Sequence, residues 1–323
     1  MKRTLQLTFP FGQTLLLAGV ILMGLAGLLE GAARLPAIQA HLPEPSWSTS
    51  FPDLETRLRL LDDYPKPVNC FFVGSSVAAV DVQPDVVALA YQKQHQEPIN
   101  CFNFGVSTLT PAQVVLVVDY LVERYHPRLI IYVLSPRDLS PEANPVADRV
   151  PDLRDFEWLT YYQGEWSWNG WLINHSEAYR RFNGYREPEV NMMSFQKNGY
   201  QPAPGVMALP LEQRWQDRLD ALFTDFAPVE AELDAVQRLM RQDGAHMVLV
   251  EAPFHRIILD GYLRDDAYTR LNDQLRALAE AEAVPYWTTS TLDIFADDSF
   301  RDPIHLNPTG AAIFSQWLGE QIG

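Results

Sequence analysis

Near the end of the chain an acid and a histidine stand three residues apart, in Asp302-Pro303-Ile304-His305-Leu306-Asn307-Pro308. This spacing, just before a helix start, can place a carboxylate against an imidazole as the back half of a nucleophilic relay, with the imidazole free to deprotonate a hydroxyl. A plainer reading coexists with it: Asn307 suits a helix N-cap and Pro308 the first helical position. A relay also needs a nucleophile, and Gly74-Ser75-Ser76 supplies a candidate, because it follows the apolar run Val68 to Val73. A serine in the turn after a buried strand, at the start of a helix, exposes its hydroxyl beside free backbone N–H groups that can receive a developing oxyanion.

These residues need a scaffold that brings them together, and the hydrophobic pattern predicts one. Short apolar runs at Val68 to Val73, Ile99 to Phe104, Arg128 to Leu134, His246 to Glu251 and Val284 to Trp287 read as strands. Helical spacing covers Pro84 to Gln94, Pro111 to Arg124, Val229 to Gln242, Tyr268 to Ala281 and Thr309 to Ile322. Strands that are apolar throughout belong to a parallel sheet covered on both faces, so the alternation predicts a three-layer, doubly wound α/β fold. In such folds ligands bind beyond the carboxyl ends of the strands. That rule selects Ser75 and Ser76, Gly105 to Ser107, Ser135 to Asp138 and His255, with Asp302 and His305 ahead of the last helix. His255 is a rival general base, but no carboxylate follows it as Asp302 precedes His305.

The alternation lapses between Ser140 and about Pro228, a stretch rich in tryptophan and tyrosine. It is expected to be an inserted cap with helices of its own, since a structureless loop of this length is improbable in a compact domain. Its aromatics suit a stacking surface for sugar rings, an acyl-binding wall, or simply the cap's own core. Upstream, residues 31–67 carry several prolines and read as a spacer with one short helix near Leu54 to Leu61, ahead of a domain spanning 68–323.

Residues 1–30 read as a membrane anchor. Leu5 to Leu29 is nearly all apolar, close to the roughly 20 residues that span a bilayer. Ala37 to Ala40 is a poor cleavage site, which favours an uncleaved anchor over a signal peptide. Lys2 and Arg3 precede the span, which places the rest of the chain outside the cytoplasm.

Composition narrows the partners. With 323 residues, 47% of them hydrophobic, the chain can bury a large core. A formal net charge of -16 and no basic run argue against nucleic acid. Cys70 and Cys101 sit in similar apolar runs and suit either a disulfide between neighbouring strands or simple burial. Neither has zinc-site spacing, and no metal or cofactor is expected.

Taken in order, Phe72-Val73-Gly74-Ser75-Ser76, Phe102-Asn103-Phe104-Gly105-Val106-Ser107, Arg137-Asp138-Leu139 and Asp302-Pro303-Ile304-His305 resemble the blocks of the SGNH (GDSL-like) hydrolase superfamily. The likeness is greatest to membrane-anchored bacterial members related to alginate-type O-acetyltransferases and to D-alanyl-lipoteichoic acid transfer proteins. It covers most of 68–139 and 229–323 and leaves out the aromatic insertion. The resemblance implies Ser76 as nucleophile, Asp302 and His305 as its relay, and Gly105 as an oxyanion donor. Where many members have an asparagine in the third block, this chain has Arg137, which can hold an oxyanion or an anionic substrate with a different reach.

The expected function is therefore extracytoplasmic serine acyl transfer, as an esterase or O-acyltransferase, on an acyl ester or acylated polysaccharide. A membrane-bound O-acyltransferase is the partner protein that the resemblance implies. Two alternatives accompany it: a non-catalytic SGNH-fold domain that binds or presents polysaccharide, suggested by Arg137, and a lipase or thioesterase with the aromatic cap as an acyl-chain wall.

Overall fold

A computed structural model describes residues 11–49, 51–140, 151–185, 194–223, 228–261 and 266–322. Five parallel strands form one sheet in the order β2-β1-β3-β4-β5: β1 Cys70–Gly74, β2 Cys101–Asn103, β3 Leu129–Leu134, β4 His246–Glu251 and β5 Tyr286–Trp287. A two-stranded antiparallel hairpin, β6 Phe300–Asp302 and β7 His305–Leu306, stands apart from the sheet.

The two faces of the sheet follow the period-2 alternation of side chains along each strand. Phe71, Val73, Ile130, Tyr132, Leu134, Met247 and Leu249 point into one core, under helices Pro111–Tyr125, Glu230–Met240 and Asp266–Ala281. Cys70, Phe72, Leu129, Ile131, Val133, Val248 and Val250 point into the other, under helices Ser76–Asp81, Pro84–His95 and Pro308–Gln321. Both faces are thus covered, which is why the strands are apolar along most of their length, with Asn103, His246 and Glu251 at strand ends as the polar exceptions. The result is the expected three-layer, doubly wound α/β fold.

Helix boundaries have local causes. Proline occupies the first turn at Pro84, Pro111 and Pro308, where its missing N–H leaves no unmade bond. Asn307 caps the last helix by accepting from Thr309 N at 3.0 Å and Gly310 N at 3.1 Å.

One feature differs from the sequence reading. Residues 31–67 do more than separate anchor from domain: helix Pro52–Asp62 puts Leu54, Leu58 and Leu61 into the same core as β1, and Trp47 joins them. The prolines of this segment start or flank a packed helix, so proline content misreported its role. The insertion after β3 contains helices Trp168–His175, Glu177–Gly184 and Gln213–Phe223 among its described residues; residues 141–150, 186–193 and 224–227 lie outside them. Cys70 and Cys101 are directly opposite one another on β1 and β2, both buried and both free thiols.

The N-terminal helix Phe11–Ala33 is long and apolar enough to cross a membrane, and its apolar side chains are exposed. Lys2 and Arg3, on which its orientation was argued, lie outside the described residues.

Candidate active site

The turn after β1 sets the position of Ser76. Gly74 has φ +142°, a conformation that side chains rarely adopt, and a Cβ there would lie 2.4 Å from the Val133 carbonyl oxygen. Glycine therefore lets the chain leave the sheet tightly against β3. Ser75 is extended, and Ser76 opens helix Ser76–Asp81. The first N–H groups of a helix have no acceptor within it, so the backbone at Ser76 and Val77 presents donors beside the Ser76 hydroxyl.

This short helix is braced at its far end. Asn103, fully buried at the end of β2, donates through Nδ2 to Ala78 O at 2.7 Å and Val82 O at 2.8 Å. Asp81 accepts from Leu306 N at 2.8 Å and so ties the helix to the residue after His305. Burial drives the Asp81 carboxyl well above the usual range; the nearby Asp302 adds to this, while the Leu306 N–H and Arg137 oppose it.

The hairpin carries Asp302 and His305. Asp302 and His305 pair across β6 and β7, and Ile304 at the turn is buried against Leu219, Phe254 and Ile258. His305 Nε2 lies 2.9 Å from Ser76 Oγ, and His305 Nδ1 lies 3.0 Å from each Asp302 oxygen. Asp302 Oδ1 also accepts the backbone N–H groups of Ile304 and His305, each at 3.0 Å. Burial pushes the Asp302 carboxyl upward, but the His305 hydrogen bond and charge and the Ile304 N–H outweigh it and hold Asp302 below the normal carboxylate value. An ionised Asp302 accepting from Nδ1–H leaves Nε2 as the acceptor facing the serine.

Arg137 completes the surroundings of the hydroxyl. It lies in the 3-10 turn Pro136–Leu139 after β3, is 4% exposed, and donates through Nη2 to Ser76 Oγ at 2.8 Å. Its Nε lies 3.5 Å from Asp138 Oδ1. Burial raises the Asp138 carboxyl to about 6 against the opposing pull of Arg137.

The structure thus brings Ser76, His305, Asp302 and Arg137 together, and it gives Gly105 a different task. The Gly105 N–H donates to Asn103 Oδ1 at 2.9 Å instead of facing an oxyanion. A Cβ on Gly105 would sit 2.4 Å from Ala79 N, so glycine here lets the second block pack directly on helix Ser76–Asp81. His255 also points elsewhere. It is buried, its Nδ1 accepts from Ile257 N at 3.1 Å, and its Nε2 lies 3.2 Å from Asp297 Oδ1. A carboxylate does accompany His255, supplied from 42 residues away, where local spacing could not reveal it. Burial lowers the His255 pKa, with Asp297 pulling the other way.

Sequence reasoning missed Asn103 and Asp81 as braces, and also Arg218 on helix Gln213–Phe223. Leu219, next to Arg218, packs on Ile304 in the hairpin turn. The Arg218 Nε is buried without a hydrogen-bond partner; burial first, then the nearby charge of Arg137, lower its pKa, and Asp302 opposes both. Asn103 had one visible signal, a polar residue at the end of an apolar run. Arg218 had none, because nothing in the insertion's sequence specifies which helix meets the hairpin.

Comparisons with known proteins add the following. No family model matches the sequence, and no curated protein matches it. Among solved structures, the chain is similar to the inhibitor-bound aryl esterase of M. smegmatis at 15% identity, with 79% of this chain and 98% of that chain covered and a TM-score of 0.36. The native form of the same M. smegmatis aryl esterase gives 14% identity, the same coverage of 79% and 98%, and a TM-score of 0.34.

Proposed function

We propose that this chain is a membrane-tethered serine acyl-transfer enzyme, an esterase or O-acyltransferase. The observation that carries the reading is the relay from Ser76 Oγ through His305 Nε2 at 2.9 Å and His305 Nδ1 to Asp302 at 3.0 Å. In the reaction, Ser76 Oγ attacks the ester carbonyl while His305 Nε2 takes its proton. Asp302 accepts the hydrogen bond from Nδ1–H, whose proton stays on the ring, and balances the imidazolium. The tetrahedral oxyanion forms beside the Ser76 backbone N–H and the Arg137 guanidinium, two donors placed before the reaction begins.

Collapse expels the alcohol, which takes the proton from His305, and leaves an acyl group on Ser76. A second hydroxyl, from water or from a sugar, is then deprotonated by His305 and releases the acyl group by the reverse steps. The polysaccharide acceptor, the extracytoplasmic location and the partner O-acyltransferase rest on the block resemblance and on the Lys2 and Arg3 flank.

A fluorophosphonate probe tests the reading. The full-length protein in detergent should become covalently labelled; Ser76→Ala should abolish the adduct and Ser75→Ala should keep it. A folded wild type that resists labelling points instead to the non-catalytic polysaccharide-binding reading.

A further inference from the structure

Three tryptophans of the insertion stand in water next to the end of the apolar N-terminal helix. Trp166 is 59% exposed, Trp168 67% and Trp171 38%. They form a continuous ladder: ring centroids are 4.9 Å apart for Trp166 and Trp168 and 6.3 Å for Trp168 and Trp171, and Trp171 stacks on His175 at 5.2 Å and 15°. Single exposed apolar residues are ordinary on a protein surface; a contiguous aromatic patch marks a site of contact.

The placement of the ladder is fixed by the anchor helix itself. Glu30, the first charged residue after the apolar run, caps helix Glu177–Gly184 from outside: its carboxylate accepts from Ser176 Oγ at 2.8 Å, Glu177 N at 3.0 Å and Ala178 N at 3.2 Å. Arg34 binds Glu30 Oε1 through Nε at 2.7 Å and His175 O through Nη2 at 3.3 Å. The end of the anchor is thereby bonded to the junction between helices Trp168–His175 and Glu177–Gly184. In a bilayer Glu30 belongs at the boundary of the hydrocarbon, and the junction lies at the same level. Seven residues of helix separate His175 from Trp168, about 10 Å, so the whole ladder stays near the headgroup zone. Leu35, beside the junction-binding Arg34, is also exposed, at 53%.

We propose that Trp166, Trp168 and Trp171 form a lipid-interface platform that seats the catalytic domain on the bilayer holding its own anchor. Indole rings favour this zone because they bury an apolar body and keep an N–H for polar partners. The rings must supply the attraction, since a net charge of -16 is repelled by anionic lipid. Seated in this way, the domain sits at a set height above the bilayer instead of trailing on a leash. The inference rests on reading Phe11–Ala33 as a membrane span, and it takes these aromatics away from a sugar-stacking role.

Tryptophan fluorescence of the full-length protein tests it by difference from the triple variant: the anchor contains no tryptophan, Trp47 and Trp158 are buried, and Trp215, Trp287 and Trp317 are half-buried outside the ladder and present in both proteins. In phosphatidylcholine vesicles brominated near the top of the acyl chains, wild-type emission should be quenched relative to unbrominated vesicles. W166F/W168F/W171F should lose most of that quenching while keeping its Tm, and added salt should leave the wild-type signal unchanged. Protein that floats with the vesicles but shows no bromolipid quenching overturns the platform and leaves the anchor intact. The platform also falls if the rings stay open to acrylamide in vesicles and a soluble polysaccharide shields them. Protein that does not float overturns the span reading, and the platform with it.

Discussion

Arg137 Nη2 and His305 Nε2 meet at one atom, the Ser76 Oγ, at 2.8 and 2.9 Å. The hydroxyl can accept from the guanidinium and donate to the imidazole at the same time. A permanent positive charge beside the oxygen favours its alkoxide and the oxyanion that follows attack. An asparagine could supply a hydrogen bond at this place but no charge.

Arg137 should therefore act on turnover more than on binding. Arg137→Ala should lower kcat on an activated acetyl ester by about 10²–10³, the loss typical of a removed oxyanion donor, with KM changing much less. Arg137→Lys should recover only part of the rate, because its ammonium lacks the planar fork that reaches Ser76 and Asp138 together. Steady-state kinetics on the three proteins decide this, and a loss confined to KM would assign Arg137 to substrate binding instead.

The two histidines should separate cleanly. His305→Ala removes the only imidazole in contact with Ser76 among the described residues, and kcat should drop by about 10³ or more. Asp302→Asn should cost a similar amount, since the wrong tautomer then faces the serine. His255→Ala should keep much of the activity and lower the Tm, because it empties a buried site against Phe300 and leaves Asp297 without its imidazole. Equal loss of activity in His255→Ala and His305→Ala would contradict the assignment.

The strands were legible because burial on both faces makes them apolar along most of their length, and the last helix because Asn307 and Pro308 mark its start. Asp302 and His305 could be paired from sequence since their partnership is local. What escaped depends on distant contacts. Helix Pro52–Asp62 reads as a short helix within a spacer because of the prolines around it, yet its leucines are buried, and so are Glu55 and Arg57. Gly105 reads as an oxyanion donor from its place after β2 and from the block resemblance; Asn103, two residues earlier, claims its N–H, and only the fold places that side chain. Asp297 reaches His255 across a loop, and the helix of Arg218 meets the hairpin through an insertion, along paths that no local pattern fixes.

Asn103 should prove a support for the nucleophile. Asn103→Ala strips partners from the Ala78 and Val82 carbonyls and from the Gly105 N–H, all within a buried region. Unsatisfied buried groups cost about 1–3 kcal/mol each, so the variant should lose at least about 2 kcal/mol in urea unfolding. Gly105→Ala should be destabilising for a steric reason, its Cβ meeting backbone that has little room to move. Native-like stability in both would show that the nucleophile helix is held by other contacts.

Asp138 gives the pH dependence. Burial holds its folded carboxyl at about 6, against about 3.9 for an unfolded aspartate. Between those values the folded protein keeps a proton that the unfolded chain has released, so this residue's contribution to stability falls as pH rises from about 4 to 6 and is constant above. Asp138→Asn removes the titration and keeps the side-chain shape. Relative to wild type, the variant should gain stability steadily across that window, by up to about 3 kcal/mol for a shift of about two units. The constant part of the difference carries the loss of the Arg137 ion pair and has either sign. Urea unfolding of both proteins from pH 4 to 7 measures it, and a difference that does not change with pH would place the folded pKa of Asp138 at its ordinary value.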